Sequence, residues 1–357
     1  MKKILLIIPL FAAALGAYAQ DDAQKAAAEA AAAIAEAPQA QAPEPKPVYW
    51  TKSLLTNINF AQTQLRDWAA GGNNNVTLTS YIDANANYAK GKMLWNNRLQ
   101  IDYGFLYSSD KPIIQKVKDR VYFESKWGYE TPIKHLNYSA NFDFKTQINE
   151  NYDYKAPTGL PEGATATTKD WRDARSLKSG FLSPAYSSLG IGLLWTPKPW
   201  VSVNVSPLTG GFVIVRNEDL RKAYGMELRK LSDVEQAAYD QAVADKEPVG
   251  QYFRKSRFEL GAQVKTDFNF TINDKLKYTT QLVLFSNYLK DPQNLRVNWD
   301  NKVFWKLAKF FTLTFTTNMI YDDTVLITND KHPEGFRTVQ LKEFVEVGFS
   351  YTLTSKK

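Results

Sequence analysis

From residue 50 onward the chain alternates apolar and polar positions. In "LNYSANFDFKTQ" (136–147), Leu136, Tyr138, Ala140, Phe142 and Phe144 fall on one side of an extended chain. Asn137, Ser139, Asn141, Asp143, Lys145 and Gln147 fall on the other. Period two marks a β-strand with one apolar and one polar face. "VTLTSYIDANANY" (76–88) and "RFELGAQVKTDFNF" (257–270) repeat the pattern. Twelve such segments are predicted, near 52–64, 75–90, 94–108, 118–130, 134–149, 184–196, 199–206, 255–272, 275–289, 295–306, 309–322 and 341–354.

The connections carry a second pattern. Short joints ("KGKM", "ETPIK", "TPKP", "NDK", "LAK") alternate with longer ones ("RDWAAGGNNN", "SSDKPIIQKVK", the stretches after 149 and 206, the modest "KDPQN", and the stretch before 341). A barrel with short periplasmic turns and longer external loops requires this parity. A soluble Greek-key sandwich has no reason to keep it. The expected fold is therefore all-β, an antiparallel transmembrane β-barrel of about twelve strands with its polar face toward a lumen. Within the long insert at 217–252, Ser232 and Glu235 have capping-box spacing, so that external loop is expected to be partly helical.

Phase then assigns the lumen. Arg98, Asp102, Glu124, Lys126, Asp143 and Lys145 share the polar face of the N-terminal half. Arg257, Glu259, Lys265, Asp267, Arg296, Asp300 and Lys302 share it in the C-terminal half. The opposite face is almost free of charge. Its aromatics (Tyr103, Phe105, Tyr107, Trp127, Tyr129, Trp299, Trp305) gather toward predicted strand ends, as membrane-interface belts do.

The first residues read differently. Lys2 and Lys3 precede an apolar run from Ile4 to Leu15, and "AYA" at 17–19 is a small-x-small cleavage site. Residues 1–19 are expected to be a secretory signal peptide, too short in its apolar run for a spanning helix. Residues 20–49, Ala-rich and then Pro-spaced, are expected to be a disordered periplasmic leader, leaving 50–357 as the barrel. With no cysteine, lipidation and disulfides are excluded. The net charge of +7, or +5 once Lys2 and Lys3 are removed, is spread along the chain, so no nucleic-acid partner is expected. The expected location is the outer membrane. The expected partners are its lipid and lipopolysaccharide, and the barrel-assembly machinery during insertion.

Several stretches resemble a family of Bacteroidota outer-membrane barrels catalogued as a domain of unknown function. They are "DWAAGG" (67–72), "WGYE" (127–130), "KTQ" (145–147), "FLSPAY" (181–186), "SPLTG" (206–210), "LFSNY" (284–288), "NWD" (298–300) and "YDD" (321–323). The resemblance implies an outer-membrane barrel and carries over no catalytic residue. The 217–252 insert departs from its pattern.

Candidate chemistry is sparse. Outer-membrane phospholipases use a Ser–His–Asn arrangement near the outer rim of a twelve-stranded barrel. Here His135 falls in a short turn and His332 in the last long loop, without a lipid-facing Ser–Asn pair, so no enzyme is expected. Asp322, Asp323, Asp330 and Glu334 could offer oxygen ligands to calcium, but their spacing matches no EF-hand, and no metal or cofactor is expected. Gly190-Ile191-Gly192 lacks the strand–turn–helix context of a dinucleotide site and suggests close packing in the wall. Pro207 cannot donate to a ladder, so "SPLTGG" (206–211) is expected either to fold inward as a constriction or to begin the external loop. The expected function is a narrow channel for small polar solutes, and the alternative is a non-transporting scaffold or an assembly or partner-binding barrel whose lumen is closed by ion pairs.

Overall fold

The computed structural model describes residues 48–65, 73–323, 325, 327–329 and 332–354. The expected signal peptide, the leader up to residue 47 and the "DWAAGG" motif lie outside the described residues. Twelve strands form the wall: β1 (Trp50–Thr63), β2 (Asn75–Lys90), β3 (Met93–Ser108), β4 (Lys111–Glu130), β5 (Leu136–Thr146), β8 (Ala185–Lys198), β9 (Val201–Ile214), β10 (Ser256–Thr271), β11 (Leu276–Asn287), β12 (Leu295–Lys306), β13 (Phe311–Tyr321) and β16 (Gln340–Thr354). Two small hairpins lie outside it, β6 (Asn151–Tyr154) with β7 (Arg175–Ser179) and β14 (Ile327–Asn329) with β15 (His332–Phe336).

Each wall strand pairs with its neighbours in the order β1-β16-β13-β12-β11-β10-β9-β8-β5-β4-β3-β2, and β1 pairs antiparallel with β16 from Ser53↔Thr354 to Asn59↔Gly348. Closure satisfies every strand edge, the condition for a sheet to sit in a medium that offers no hydrogen bonds. The shortest wall strands, β5 and β13, have 11 residues, about what one bilayer crossing needs.

The turns 91–92, 131–135, 199–200, 272–275 and 307–310 share one rim with the chain ends of the barrel. We call it the turn rim, and the opposite one the loop rim. The loop-rim connections 64–74, 147–184, 215–255, 288–294 and 322–339 are all longer than any of those turns. The remaining one, 109–110, is a tight turn, which corrects the expectation of a long "SSDKPIIQKVK" loop. β4 begins at Lys111 because the strand continues through a bulge: Gly104 pairs with Lys118, but Phe105 pairs with Lys116. The extra residue, Val117, breaks the period-two phase and hides the strand's continuation from a sequence reading. The projecting hairpin is braced by a short helix, α1 (Thr168–Asp173), whose Thr168 hydroxyl donates to the carbonyl of Pro112 at 2.8 Å.

A second bulge corrects the expected interruption at "SPLTGG". β9 runs on to Ile214, and two residues, Pro207 and Leu208, lie opposite the single Ala262 of β10. The bulge accommodates a proline without an N–H. Pro207 is exposed, and its carbonyl accepts from the Tyr288 hydroxyl at 2.9 Å. It belongs to the wall, neither to a constriction nor to a loop. The neighbouring "GIG" has the same cause: a Cβ on Gly192 would stand 1.9 Å from the Val205 carbonyl oxygen, so only glycine admits the bulged strand.

Faces are inverted relative to a water-soluble protein. Phe142 is 37% exposed and its neighbour Asn141 1%. Ile58, Phe60, Ile191, Val345 and Val347 are likewise outside, while Asn57, Gln100, Glu259 and Gln263 are buried inside. Buried polar residues of this kind are the unusual case in water. Aromatics ring the turn rim, with Trp50 5.1 Å from Tyr88 and 5.7 Å from Trp95, Trp200 4.9 Å from Phe270, and Phe310 5.2 Å from Phe349, centroid to centroid. Tyr103 and Trp299, expected near strand ends, sit well inside β3 and β12.

The 215–255 connection folds into a cap whose Val215, Leu220 and Met226 form an apolar cluster with Val213 of β9, packed against Leu177, Tyr224 and Phe253. It contains α2 (Glu218–Arg221) and α3 (Asp233–Ala244). Both halves of the capping box read from Ser232 and Glu235 are present at the start of α3.

Candidate functional site: a charged layer across the lumen

Inward charges on adjacent strands pair with each other first. Arg98 on β3 donates to Asp83 on β2 through Nε at 3.0 Å and Nη2 at 2.5 Å. Arg120 on β4 donates to Asp102 on β3 at 2.9 Å. Tyr81 and Gln100 complete the shell of Asp83, donating to its Oδ2 at 2.9 and 3.2 Å. These contacts follow from register alone.

The contacts that define the site cross the barrel. Lys265 on β10 places its ammonium 2.7 Å from Glu124 on β4, 2.7 Å from Asp143 on β5 and 2.6 Å from the Tyr122 hydroxyl. Lys126 lies 3.2 Å from Glu124 and 3.3 Å from Asp267. Gln281 donates to the other oxygen of Asp267 at 2.7 Å. A second set spans the rest of the cross-section. Lys118 on β4 reaches Glu346 on β16 at 2.5 Å, and Lys302 on β12 lies 3.8 Å from Asp102 on β3. Arg120 on β4 lies 3.9 Å from Asp300 on β12, six strands round the ring and so diametrically opposite. Side chains that bridge strands this far apart fill the lumen.

This layer separates open space on its two sides. Toward the loop rim lie adjoining cavities of about 250 and 280 Å³, both lined by Arg120, Lys145, Tyr186 and Asp300. Toward the turn rim lies one of about 340 Å³, lined by Asn85, Asn96, Arg98, Glu124, Lys126 and Asp267. Lys265 binds Glu124, which lines the turn-side cavity, and Asp143, which lines the loop-side one. At the centre of the layer Lys265 is 1% exposed, whereas the Arg120 and Asp300 side chains remain 22% and 24% exposed toward the loop-side cavities. In surroundings like those of Lys265 a charge is tolerated only when paired and hydrogen-bonded, as Lys265 is with Asp143 and Tyr122.

All thirteen charges read from phase lie on the inner face, in different roles. Arg257, Glu259 and Arg296 form a chain near the loop rim with contacts of 2.8 and 2.9 Å, which Arg296 extends to Asp322 at 2.8 Å. Arg257 also donates to the Gly225 carbonyl at 2.8 Å, tying the cap to the lumen wall. Asp300 accepts from Asn318 at 2.6 Å. Lys145 faces both loop-side cavities and makes no ion pair or hydrogen bond with protein among the described residues. Asp323 accepts from Asn294, and its carbonyl accepts from Arg337 Nε at 2.7 Å. It does not converge with Asp322, and the side chains of Asp330 and Glu334 lie outside the described residues. Among the described residues no cluster of three acids or histidines has the geometry to hold a metal. His135 sits in the turn-rim connection 131–135, its carbonyl accepting from the Thr196 N–H at 2.9 Å.

Several contributors escaped the sequence reading. Tyr122 shares the phase of Glu124 and Lys126, which was a usable signal, but an aromatic inside a lumen is not expected from patterning. Lys118 and Lys342 stand next to connections, where a charge normally reads as a solvated loop residue.

The fold and its interior define a class: a closed twelve-strand antiparallel barrel, apolar outside and ion-paired within. A family model described as "protein of unknown function (DUF3078)" matches residues 60–152, which include the "WGYE" and "KTQ" stretches. No curated protein sequence matches the chain. Among solved structures it is similar to the translocator domain of the autotransporter NalP from Neisseria meningitidis, with 9% identity, a TM-score of 0.34, and coverage of 92% of this chain and 97% of that one. It is also similar to an outer membrane channel from Pseudomonas putida F1, with 9% identity, a TM-score of 0.36 and coverage of 89% and 100%. A third is OmpT, an outer membrane protein of Vibrio cholerae, with 8% identity, a TM-score of 0.27 and coverage of 87% and 100%. These similarities assign no activity to the chain.

Proposed function

We propose that this chain is an integral outer-membrane barrel, of the Bacteroidota kind its motifs resemble, that does not conduct: a scaffold or partner-binding barrel with a shut lumen. Support for the membrane reading comes from the apolar exterior, the aromatic ring at the turn rim and the rim-specific connection lengths. In this orientation the turn rim faces the periplasm and the loop rim and cap face outward. Membrane lipid and lipopolysaccharide cover the outside, and the barrel-assembly machinery inserts it. No catalytic role is proposed.

One observation carries the closed reading over the channel: the ion-paired layer from Lys265 through Glu124 and Asp143, joined by the diametric approach of Arg120 to Asp300. An open pore of twelve strands would leave these side chains in water, each worth under about 1 kcal/mol as a pair. Liposomes carrying the refolded protein should therefore swell in isosmotic arabinose no faster than protein-free liposomes. Swelling that scales with the amount of protein would overturn the proposal in favour of a channel.

A further inference from the structure

The 280 Å³ loop-side cavity is electrically unbalanced. Lys118, Arg120, Lys145, Lys302 and Lys342 line it against Asp102, Asp119 and Asp300, an excess of two positive charges. Two further residues pair with members of this lining, Glu346 with Lys118 and Lys116 with Asp119, and being of opposite sign they leave the excess unchanged. Asp119 is already committed, accepting from Lys116 at 2.9 Å and from the N–H groups of Ile148 and Asn149 at 2.8 and 2.7 Å.

Three of the lysines are under-partnered. Lys145 has no protein hydrogen bond or ion pair among the described residues. Lys302 has only a 3.8 Å approach to Asp102 and the face of Tyr81, 3.8 Å from its ammonium. Lys342, itself an exposed residue, donates to the Val117 carbonyl at 3.2 Å, a neutral acceptor. The three come from β5, β12 and β16, so the closed sheet brings them together. Thr146, Gln147, Thr316 and Asn318 add neutral polar groups to the same wall. Partly buried ammonium groups such as those of Lys145 and Lys302, without a close counter-charge, are costly, and a bound anion relieves that cost.

We propose that this cavity binds a small dianionic oxyanion of the phosphate class. Bound as its dianion, phosphate cancels the excess of two, and its several acceptor oxygens match ammonium groups arriving from different strands. The strands wall the cavity off from lipid, so the ligand is a small soluble anion and not a lipid headgroup. The inference rests on the closed-lumen reading, since an open pore would leave the lysines screened by bulk water. Conductance and swelling test that reading, and binding tests this one.

The experiment is equilibrium dialysis of radiolabelled inorganic phosphate against the full-length protein refolded in detergent at low ionic strength, with thermal unfolding in parallel. Wild type should bind one phosphate saturably and unfold at a higher temperature when phosphate is added. Lys145→Met should weaken binding at least tenfold and abolish the thermal shift. Its phosphate-free unfolding temperature should be unchanged or raised, because an unpaired enclosed charge is lost. Lys277→Met, outside this cavity, should bind as wild type does. Wild type without saturable binding would overturn the proposal, and so would Lys145→Met binding as tightly as wild type. If vesicles containing phosphatidic acid compete with phosphate for this site while chloride does not, the ligand is a lipid headgroup and the soluble-anion assignment fails.

Discussion

Replacing Lys265 with methionine is expected to be the most damaging single change in the lumen. Its ammonium joins Glu124, Asp143 and Tyr122 within 2.7 Å of each, and it is 1% exposed. Without it Glu124 keeps Lys126 at 3.2 Å, but Asp143 keeps only neutral donors, Tyr122 and Asn141. Removing one partner of an enclosed ion pair costs about 3–5 kcal/mol, because the other charge is left without compensation. The urea midpoint for loss of the folded, heat-modifiable gel band should fall accordingly. Adding Asp143→Asn to Lys265→Met should recover part of the loss, since it removes the orphaned charge. A Lys265→Met unfolding free energy within about 1 kcal/mol of wild type would mean that the lysine is solvated and the lumen open.

The second large effect lies outside the barrel. Phe142→Arg and Leu282→Arg place a guanidinium against lipid halfway along β5 and β11, at a cost of about 2–4 kcal/mol near the midplane. Gln281→Arg, one residue from Leu282, points into the loop-side cavity beside Asp267 and should insert normally. Insertion into lipid vesicles, read as protease protection with the boiled-versus-unboiled gel shift, separates the two outcomes. Equal defects in Leu282→Arg and Gln281→Arg would reverse the inside–outside assignment.

Most of the wall was legible because β-structure writes itself in period two. The expected strand at 295–306 is β12 as observed, and the twelve expected segments are the twelve wall strands. Where the reading failed, a bulge had shifted the phase: Val117 concealed the first part of β4, and Pro207 with Leu208 concealed the end of β9. The β6–β7 hairpin and α1 were missed because they are too short for periodicity to register. The lumen was legible by face but not by partner. Alternation places Lys265 and Glu124 on the same side of the sheet, but their contact depends on ring order and stagger, which bring together residues 141 positions apart on β10 and β4. For the same reason the lysine excess is invisible in the sequence, where positive and negative charges are mixed along strands such as β4, β5 and β12.

If side chains close this lumen, single-channel recording from the refolded wild-type protein in a planar bilayer should find no pore. The protein should insert, as judged by protease protection of the same preparation in lipid vesicles, and carry no steady current across the bilayer. Discrete ohmic steps of constant size from wild type, recurring with each insertion, would contradict the closed layer and establish an open channel.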